Sequence, residues 1–373
     1  MRIYIYSGGE KIVGRSGVGQ AIRHQRECLR RSGVATTDRW TADAAAVHVN
    51  TILPDSVFAA LGAKLRRRKV VWYGHSTMED FRSSFKGSNA LAPLFKRWIT
   101  FCYGLGDVVL TPTEYSRELL ESYGLKKPVY SISNGVDTDF FHPDPAARPA
   151  LRARYGLAED KQVVVSVGHT IARKGLPEFL ELARRIPEAA FIWFGWTNPK
   201  LIPQEIVQAM RNAPDNVLFP GFVGREELRE AYQGADVFAF LSHEETEGIV
   251  VLEALACGVP TVLRDIPVYG GWLEHGNTIY KASADGDFHE IVSGLLNKTL
   301  PDLTAAGRAV AESRSLEQVG KRLKAIYLEQ RVCDFSREAA TALDFAEQNR
   351  SGVRPRSGKR HQKSFHALGQ SGV

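Results

Sequence analysis

The sequence predicts an α/β protein built on two doubly wound parallel sheets, and three observations carry that expectation. Short apolar runs rich in β-formers alternate with helix-like segments almost throughout, up to about residue 330. Many of these runs are continuously apolar, as strands are when helices cover both faces of a parallel sheet. The 373 residues exceed what a single core usually serves, and ten strands suit two sheets better than one.

Taken in order, RIYIY (2–6) opens the chain with an alternating strand pattern. A helical stretch follows at 19–31, then the strands AVHVN (46–50), VVWY (70–73) and VVLT (108–111). A helix at 117–123 and the run VYSIS (129–133) complete the first set. The second set begins with VVVSV (163–167) and a helix at 176–185. AFIWF (190–194), a helix at 204–211, VLF (217–219), VFAF (237–240) and TVL (261–263) follow. Between the sets lies PDPAARPALRARYGLAEDKQ (143–162), after the turn NGVD (134–137), and the seam between domains is expected there. The expected organisation is a first domain over 1–150, a second over 156–330, a disordered basic tail over 350–373, and helical segments at 315–330 and within 331–349 that return to the first domain.

Charge and cysteine usage narrow the function classes. Formal net charge is +6, from 48 basic and 42 acidic residues. Six basic residues and no acid lie in 350–373 (Arg350, Arg354, Arg356, Lys359, Arg360, Lys363), so the body carries 42 of each sign. A neutral body argues against a nucleic-acid-binding domain. The tail reads as a solvated segment, with weak attraction to anionic lipid as the sharper alternative. The four cysteines are scattered without a CxxC, so neither a disulfide framework nor a zinc site is expected, and a reducing cytoplasm is. No apolar run approaches bilayer-spanning length, and the N-terminus lacks a signal-peptide pattern.

The chemistry concentrates in HEETEGIVVLEALACG (243–258). Glu244, Glu245 and Glu247 crowd the start of a helix that is apolar nearly all round, with Gly248 at its entry and Gly258 at its end. The N–H groups of that helix start suit an anionic or sugar ligand. Glu253 stands alone inside the apolar run and needs hydrogen-bond donors if it is buried. The residues by themselves leave two sources open: ligand hydroxyls, or a structural arrangement with backbone N–H groups or Arg264.

Glu245 and Glu253 form E-x7-E, and with Gly248 and EALACGVP they match the signature of the retaining glycosyltransferases of family 4. The run EETEGIVVLEALACGVPTVLRDIPVYGGWL (244–273) resembles bacterial glycosyl-diacylglycerol synthases more closely still. So do HSTMEDFRSSFKGSN (75–89), GDVVLTPTEYSRELL (106–120) and SNGVD (133–137), and the resemblance spans roughly 1–330. It implies the GT-B fold, two Rossmann-like domains facing a central cleft, with the acceptor on the first and the nucleotide sugar on the second. Carried over, Glu245 lies against the transferred hexose and Glu253 holds the ribose hydroxyls, while N–H groups of Thr246, Glu247 and Gly248 face sugar and phosphate. Glu247 departs from the apolar or aromatic residue of many relatives. In VGHTIARKG (167–175) Lys174 matches a cation that neutralises the leaving diphosphate; His169 stands where the other basic residue belongs, and Arg173 is expected to supply the missing charge. Gly17 and Gly19 in RSGVGQ (15–20) match the glycine-rich loop that approaches the donor phosphates. His75 matches the active-site histidine, with Glu79 and Asp80 as secondary candidates for acceptor contacts.

The implied reaction moves glucose or galactose from its UDP form, without an essential metal or other cofactor, to diacylglycerol or a monoglycosyl-diacylglycerol. The implied place is the inner face of the cell membrane, peripherally bound. LGAKLRRRK (61–69) and ALAPLFKRWITFCYG (90–104) bring cations beside aliphatic and aromatic groups, as an interfacial helix on anionic lipid would; a core helix with a basic edge is the alternative for the second. Three rivals stay open at this point: a family 4 enzyme of polysaccharide or other envelope glycans, an epimerase or phosphorylase of similar architecture, and a non-catalytic nucleotide-sugar-binding protein.

Overall fold

The structure is a computed structural model that describes residues 2–9, 14 and 16–332. The segment 333–349 and the basic tail lie outside the described residues. In chain order the elements of the first domain are β1 (Arg2–Tyr6), α1 (Gly17–Arg31), β2 (Ala35–Thr37), β3 (Ala44–Val49), α2 (Pro54–Leu65), β4 (Lys69–Tyr73), α3 (Met78–Phe81), α4 (Ser88–Gly104), β5 (Val108–Thr111), α5 (Glu114–Ser122) and β6 (Val129–Ser131). The rest are α6 (Ala147–Arg154), β7 (Val163–Val167), α7 (Leu176–Arg185), β8 (Ala190–Phe194), α8 (Gln204–Arg211), β9 (Val217–Gly221), α9 (Arg225–Gly234), β10 (Val237–Phe240), α10 (Ile249–Cys257), β11 (Thr261–Arg264), β12 (Tyr280–Ala282), α11 (Asp285–Leu296), α12 (Thr304–Ser313) and α13 (Leu316–Glu329).

The strands form two six-stranded sheets, β2-β1-β3-β4-β5-β6 and β12-β11-β10-β7-β8-β9, with parallel pairing throughout. The continuously apolar strands are buried along their length: VVVSV, AFIWF and VFAF have no exposed residue. That is the cause of their composition, since helices cover both faces. Two strands escape the sequence reading, β2 and β12, each three residues long and each at a sheet edge. A run so short carries too little apolar pattern to stand out from a loop.

The seam between domains also differs from the expectation at 143–162. The chain crosses just after β6, because Val136, Phe141 and Leu151 already belong to the core of the second sheet. Helix α6 is pinned there by Arg152, whose guanidinium donates to the Gly234 carbonyl at 2.9 Å and meets Asp236 at 2.6 Å. A Pro- and charge-rich composition had suggested a linker; burial of one arginine and one leucine makes it a packed helix instead.

At the far end, α13 crosses back and lies along α1 of the first domain. The approach is closest at Gly320, where an added Cβ would sit 2.3 Å from the Cys28 carbonyl oxygen. Lys324 Nζ donates to the Ser32 carbonyl, and the Tyr327 hydroxyl meets His48 Nδ1 at 2.9 Å. Because the obstacle at Gly320 is backbone, Gly320→Ala is expected to push α13 off α1 and to cost about 1–3 kcal/mol of stability. A thermal melt checks this, with Gly104→Ala as the control, since no atom lies within 4 Å of a Cβ there.

Candidate active site

In a doubly wound sheet the crevice opens at the carboxyl ends of the two strands where the winding reverses. In the second sheet those strands are β7 and β10, and the segments that follow them are 168–175 and 241–248. In the first sheet they are β1 and β3, with β4 alongside. The first domain therefore supplies Asn50 after β3 and His75 after β4, and the second supplies Arg173, Lys174 and the four residues Glu244–Glu247.

Gly248 turns the chain into α10 with φ +87°, a left-handed conformation that glycine adopts without strain. A Cβ there would also lie 3.2 Å from Val251 Cγ2 and 3.4 Å from the Tyr269 hydroxyl. Helix α10 is apolar and almost wholly buried, and Gly258 ends it at φ +72°. Glu253 sits inside this helix at 4% exposure. Its one hydrogen bond among the described residues comes from the Tyr232 hydroxyl at 3.2 Å. Arg264 is not its partner, being committed to Asp285 at 2.9 Å and to the Leu241 carbonyl at 3.0 Å. Burial pushes the Glu253 carboxyl up to about 7; the Tyr232 bond and the charges of Arg225 and Arg23 offset only part of that cost.

Glu245 is satisfied differently. Lys174 Nζ bonds directly to its Oε1 and lies 5.7 Å from the centre of the Phe240 ring. Burial favours the neutral acid, but Lys174 and Arg173 together outweigh it and hold the carboxyl below its ordinary range. Lys174 itself is drawn below the ordinary lysine value, burial counting for more than the attraction of Glu245.

Arg173 spans the cleft. Its Nη1 pairs with Asp80 at 2.8 Å and donates to the Glu244 carbonyl at 2.6 Å, and its Nε donates to Ser84 at 2.8 Å. The guanidinium expected to face a diphosphate is thus engaged by the other domain. His169 supplies no charge in its place, since burial lowers its pKa and its Nδ1 faces the Trp196 carbonyl at 3.2 Å. His75 is neutral as well: buried, stacked on Tyr73 at 4.3 Å, bonded through Nε2 to Asn50 Oδ1 at 3.2 Å, and lowered to about 3 by burial and by His48.

The remaining expected residues divide. Gly17 begins α1 with no protein atom within 4 Å of a Cβ, so packing does not demand glycine there, and Gly19, two residues on, is buried. The Thr246 carbonyl accepts from Thr113 Oγ1 at 2.9 Å. Glu247 was expected among the donor contacts, yet it is fully buried and its Oε2 accepts from the Asn134 backbone N–H at 2.9 Å and from Asn134 Nδ2 at 2.8 Å. Glu79 accepts from the Tyr123 hydroxyl.

Sequence reasoning gave no role to Asn50, Thr113, Tyr115, Asn134, Tyr232 or Tyr269. Four of them stand at or beside motifs already singled out (TPTEYS, SNGVD, RDIPVY), which was a signal of importance without a signal of task. Glu244 also gains a particular character. The Tyr115 hydroxyl meets its Oε2 at 3.3 Å, and burial raises it to about 7, with Tyr115 lowering it and Asp80, Glu79 and Glu245 adding to the rise.

Comparison with known proteins identifies the family and the fold. Residues 16–140 match Glycosyltransferase Family 4, and residues 147–309 match Glycosyl transferases group 1. The chain is 37% identical over 333 residues to the processive diacylglycerol alpha-glucosyltransferase of Acholeplasma laidlawii, covering 88% of this chain and 98% of that protein. It is 30% identical to the alpha-galactosylglucosyldiacylglycerol synthase of Streptococcus pneumoniae, covering 76% of this chain and 77% of that one. Among solved structures, HepE of Anabaena in complex with UDP-glucose superposes with a TM-score of 0.72 at 15% identity, over 88% of this chain and all of that one. Sucrose-phosphate synthase from Thermosynechococcus elongatus gives 0.71 at 18%, over 88% and 98%. The two facing sheets, the E-x7-E helix and a relative matched almost end to end lead to one conclusion: the chain belongs to glycosyltransferase family 4 and is a glycosyltransferase of the GT-B fold.

Proposed function

We propose that the protein transfers glucose or galactose from its UDP form to a diacylglycerol or monoglycosyl-diacylglycerol, with retention of configuration, at the surface of an anionic membrane. The observation that carries this reading is the 37% identity to a diacylglycerol glucosyltransferase across 98% of that protein. In the reaction the C1–O bond to the diphosphate breaks and its electron pair leaves with the diphosphate. The acceptor hydroxyl forms the new C1–O bond on the same face and gives its proton to the departing phosphate oxygen. Lys174 and the N–H groups at the start of α10 supply the positive potential that this charge needs. We infer that they suffice without a metal, and chelation with EDTA is expected to leave transfer intact. Glu245 bonds hexose hydroxyls, and Glu253 accepts from the ribose.

A lipid acceptor calls for a membrane-facing surface, and the first domain has a candidate. On α2, Phe58, Leu61 and Leu65 are exposed; in and before α4, so are Phe85, Leu91, Leu94 and Phe101. The other side of α4 is core, with Ala92, Ile99, Cys102 and Tyr103 buried and Trp98 donating to the Ile52 carbonyl at 2.8 Å. Residues 56–78 carry Lys64, Arg66, Arg67, Arg68 and Lys69 without an acid, and residues 82–104 carry Arg82, Lys86, Lys96 and Arg97 without one. Each cation near an anionic surface adds about 1 kcal/mol. No helix among the described residues is long and apolar enough to cross a membrane, so the attachment proposed is peripheral.

Incubation with UDP-glucose or UDP-galactose and total membrane lipid, read by mass spectrometry, is expected to yield a new hexosyl lipid; transfer to glycan primers alone would overturn the acceptor. Glu245→Ala is expected to cut transfer by about 100-fold or more. Vesicles rich in anionic lipid should carry the protein down in a spin, and equal sedimentation without them would count against the surface. Donor binding should also depend on pH. Ribose hydroxyls favour the ionised form of a carboxyl that rests at about 7, so UDP binding releases protons near neutrality and tightens as pH rises from about 6 to about 8. Titration calorimetry in two buffers of different ionisation enthalpy measures this, and Glu253→Gln is expected to weaken binding and flatten the dependence.

A further inference from the structure

The chain passes between the domains twice, and the two passes are bonded to each other. The Val136 N–H donates to the Arg314 carbonyl at 3.1 Å, and the Leu316 N–H donates to the Val136 carbonyl at 3.0 Å. Gly135 makes this closeness feasible: at φ +76°, a Cβ there would stand 3.0 Å from Leu316 Cδ2 and 3.3 Å from Val319 Cγ2. From the first domain, His24 on α1 meets the Gly135 carbonyl through Nδ1 at 2.9 Å. The hinge is therefore a small hydrogen-bonded knot, not two independent strings.

The donor-side loop is tied to this knot by one side chain. Glu247, two residues after Glu245 and next to Gly248, is fully buried and grips Asn134 twice, at the backbone N–H and at Nδ2. Ser133, the residue before Asn134, and the charge of Arg314, on the second pass of the hinge, also favour its ionised form, though burial outweighs them and raises the carboxyl. Removing such a carboxyl would strand the Asn134 N–H and amide in a dry seam. A direct sugar contact is a poorer account, because the side chain is fully buried and both of its bonds go to Asn134.

We propose that Glu247 is a positioning residue that couples the donor loop to the interdomain hinge, so that Glu245 and the first N–H groups of α10 are set by the angle between the domains. This rests on the reading of Glu245 and Gly248 as donor contacts. It also gives a reason for a carboxylate where many relatives carry an apolar or aromatic side chain.

The test compares Glu247→Gln, Glu247→Ala, Asn134→Ala, the double alanine variant and Asn134→Asp, measuring kcat, UDP affinity and melting temperature for each. Glutamine keeps an oxygen that accepts both bonds, so Glu247→Gln is expected to retain at least about half of kcat, whereas Glu247→Ala loses about 10-fold or more with UDP affinity changed by less than about threefold. The double variant should be no slower than the slower single one, since both remove the same link. Asn134→Asp keeps the backbone donor but sets carboxylate against carboxylate; it should lower kcat even if the alanine variants do not fold. Three results would overturn the proposal: loss confined to UDP affinity, a lower melting temperature with kcat unchanged, or additive losses in the double variant. Retained transfer in Glu245→Ala would instead sink the donor-loop reading itself.

Discussion

Placing a carboxylate in an apolar interior costs several kcal/mol unless donors or cations meet it, and this structure buries three of them, Glu245, Glu247 and Glu253, with the half-buried Glu244 beside them. Each is compensated in its own way. Glu245 has Lys174, Glu247 has Asn134, Glu244 has the Tyr115 hydroxyl, and Glu253 has a single bond from Tyr232. Two of them, Glu244 and Glu253, have a single tyrosine bond each and are pushed up to about 7, and the family resemblance gives the second to the nucleotide.

Several of these compensating partners come from the other domain. Asp80 and Ser84 hold Arg173, Thr113 and Tyr115 hold the 244–246 segment, and Asn134 holds Glu247. The motifs HSTMEDF, TPTEYS and SNGVD thus share one physical task, keeping the polar loop of the second sheet satisfied across the cleft. In such an arrangement the domains cannot separate without uncovering unpaired charge, and buried polar groups of this kind specify one geometry more than they add stability.

The positive side of the site is narrower than residue types suggest. His24, His48, His75 and His169 all lie below the ordinary histidine range, burial being the main cause in each case. None is a cation at neutral pH. With Arg173 engaged by Asp80, fixed positive potential comes from Lys174, from Arg225 and Arg23, whose charges act on Glu253, and from the helix starts at α10 and α1, whose N–H groups carry it without any ionisable group.

The fold class was legible because it rests on local pattern: continuously apolar strands between helices mean a parallel sheet covered on both faces, whatever the loops do. The same locality hid β2 and β12, where three residues hold too little pattern, and misplaced the seam, because the burial of Arg152 and Leu151 depends on α9 and β10, far along the chain. For the site, residue type and spacing singled out Lys174, Glu245, Gly248 and Glu253, and the resemblance supplied their expected tasks. What Arg173 and Glu247 actually touch was beyond the sequence, since Asp80 and Ser84 come from the other domain and Asn134 from the hinge, and the energy of a charge depends on what lies within a few ångströms of it. Composition determined that buried carboxylates would need partners; only the docking of two sheets decided which residues those partners are.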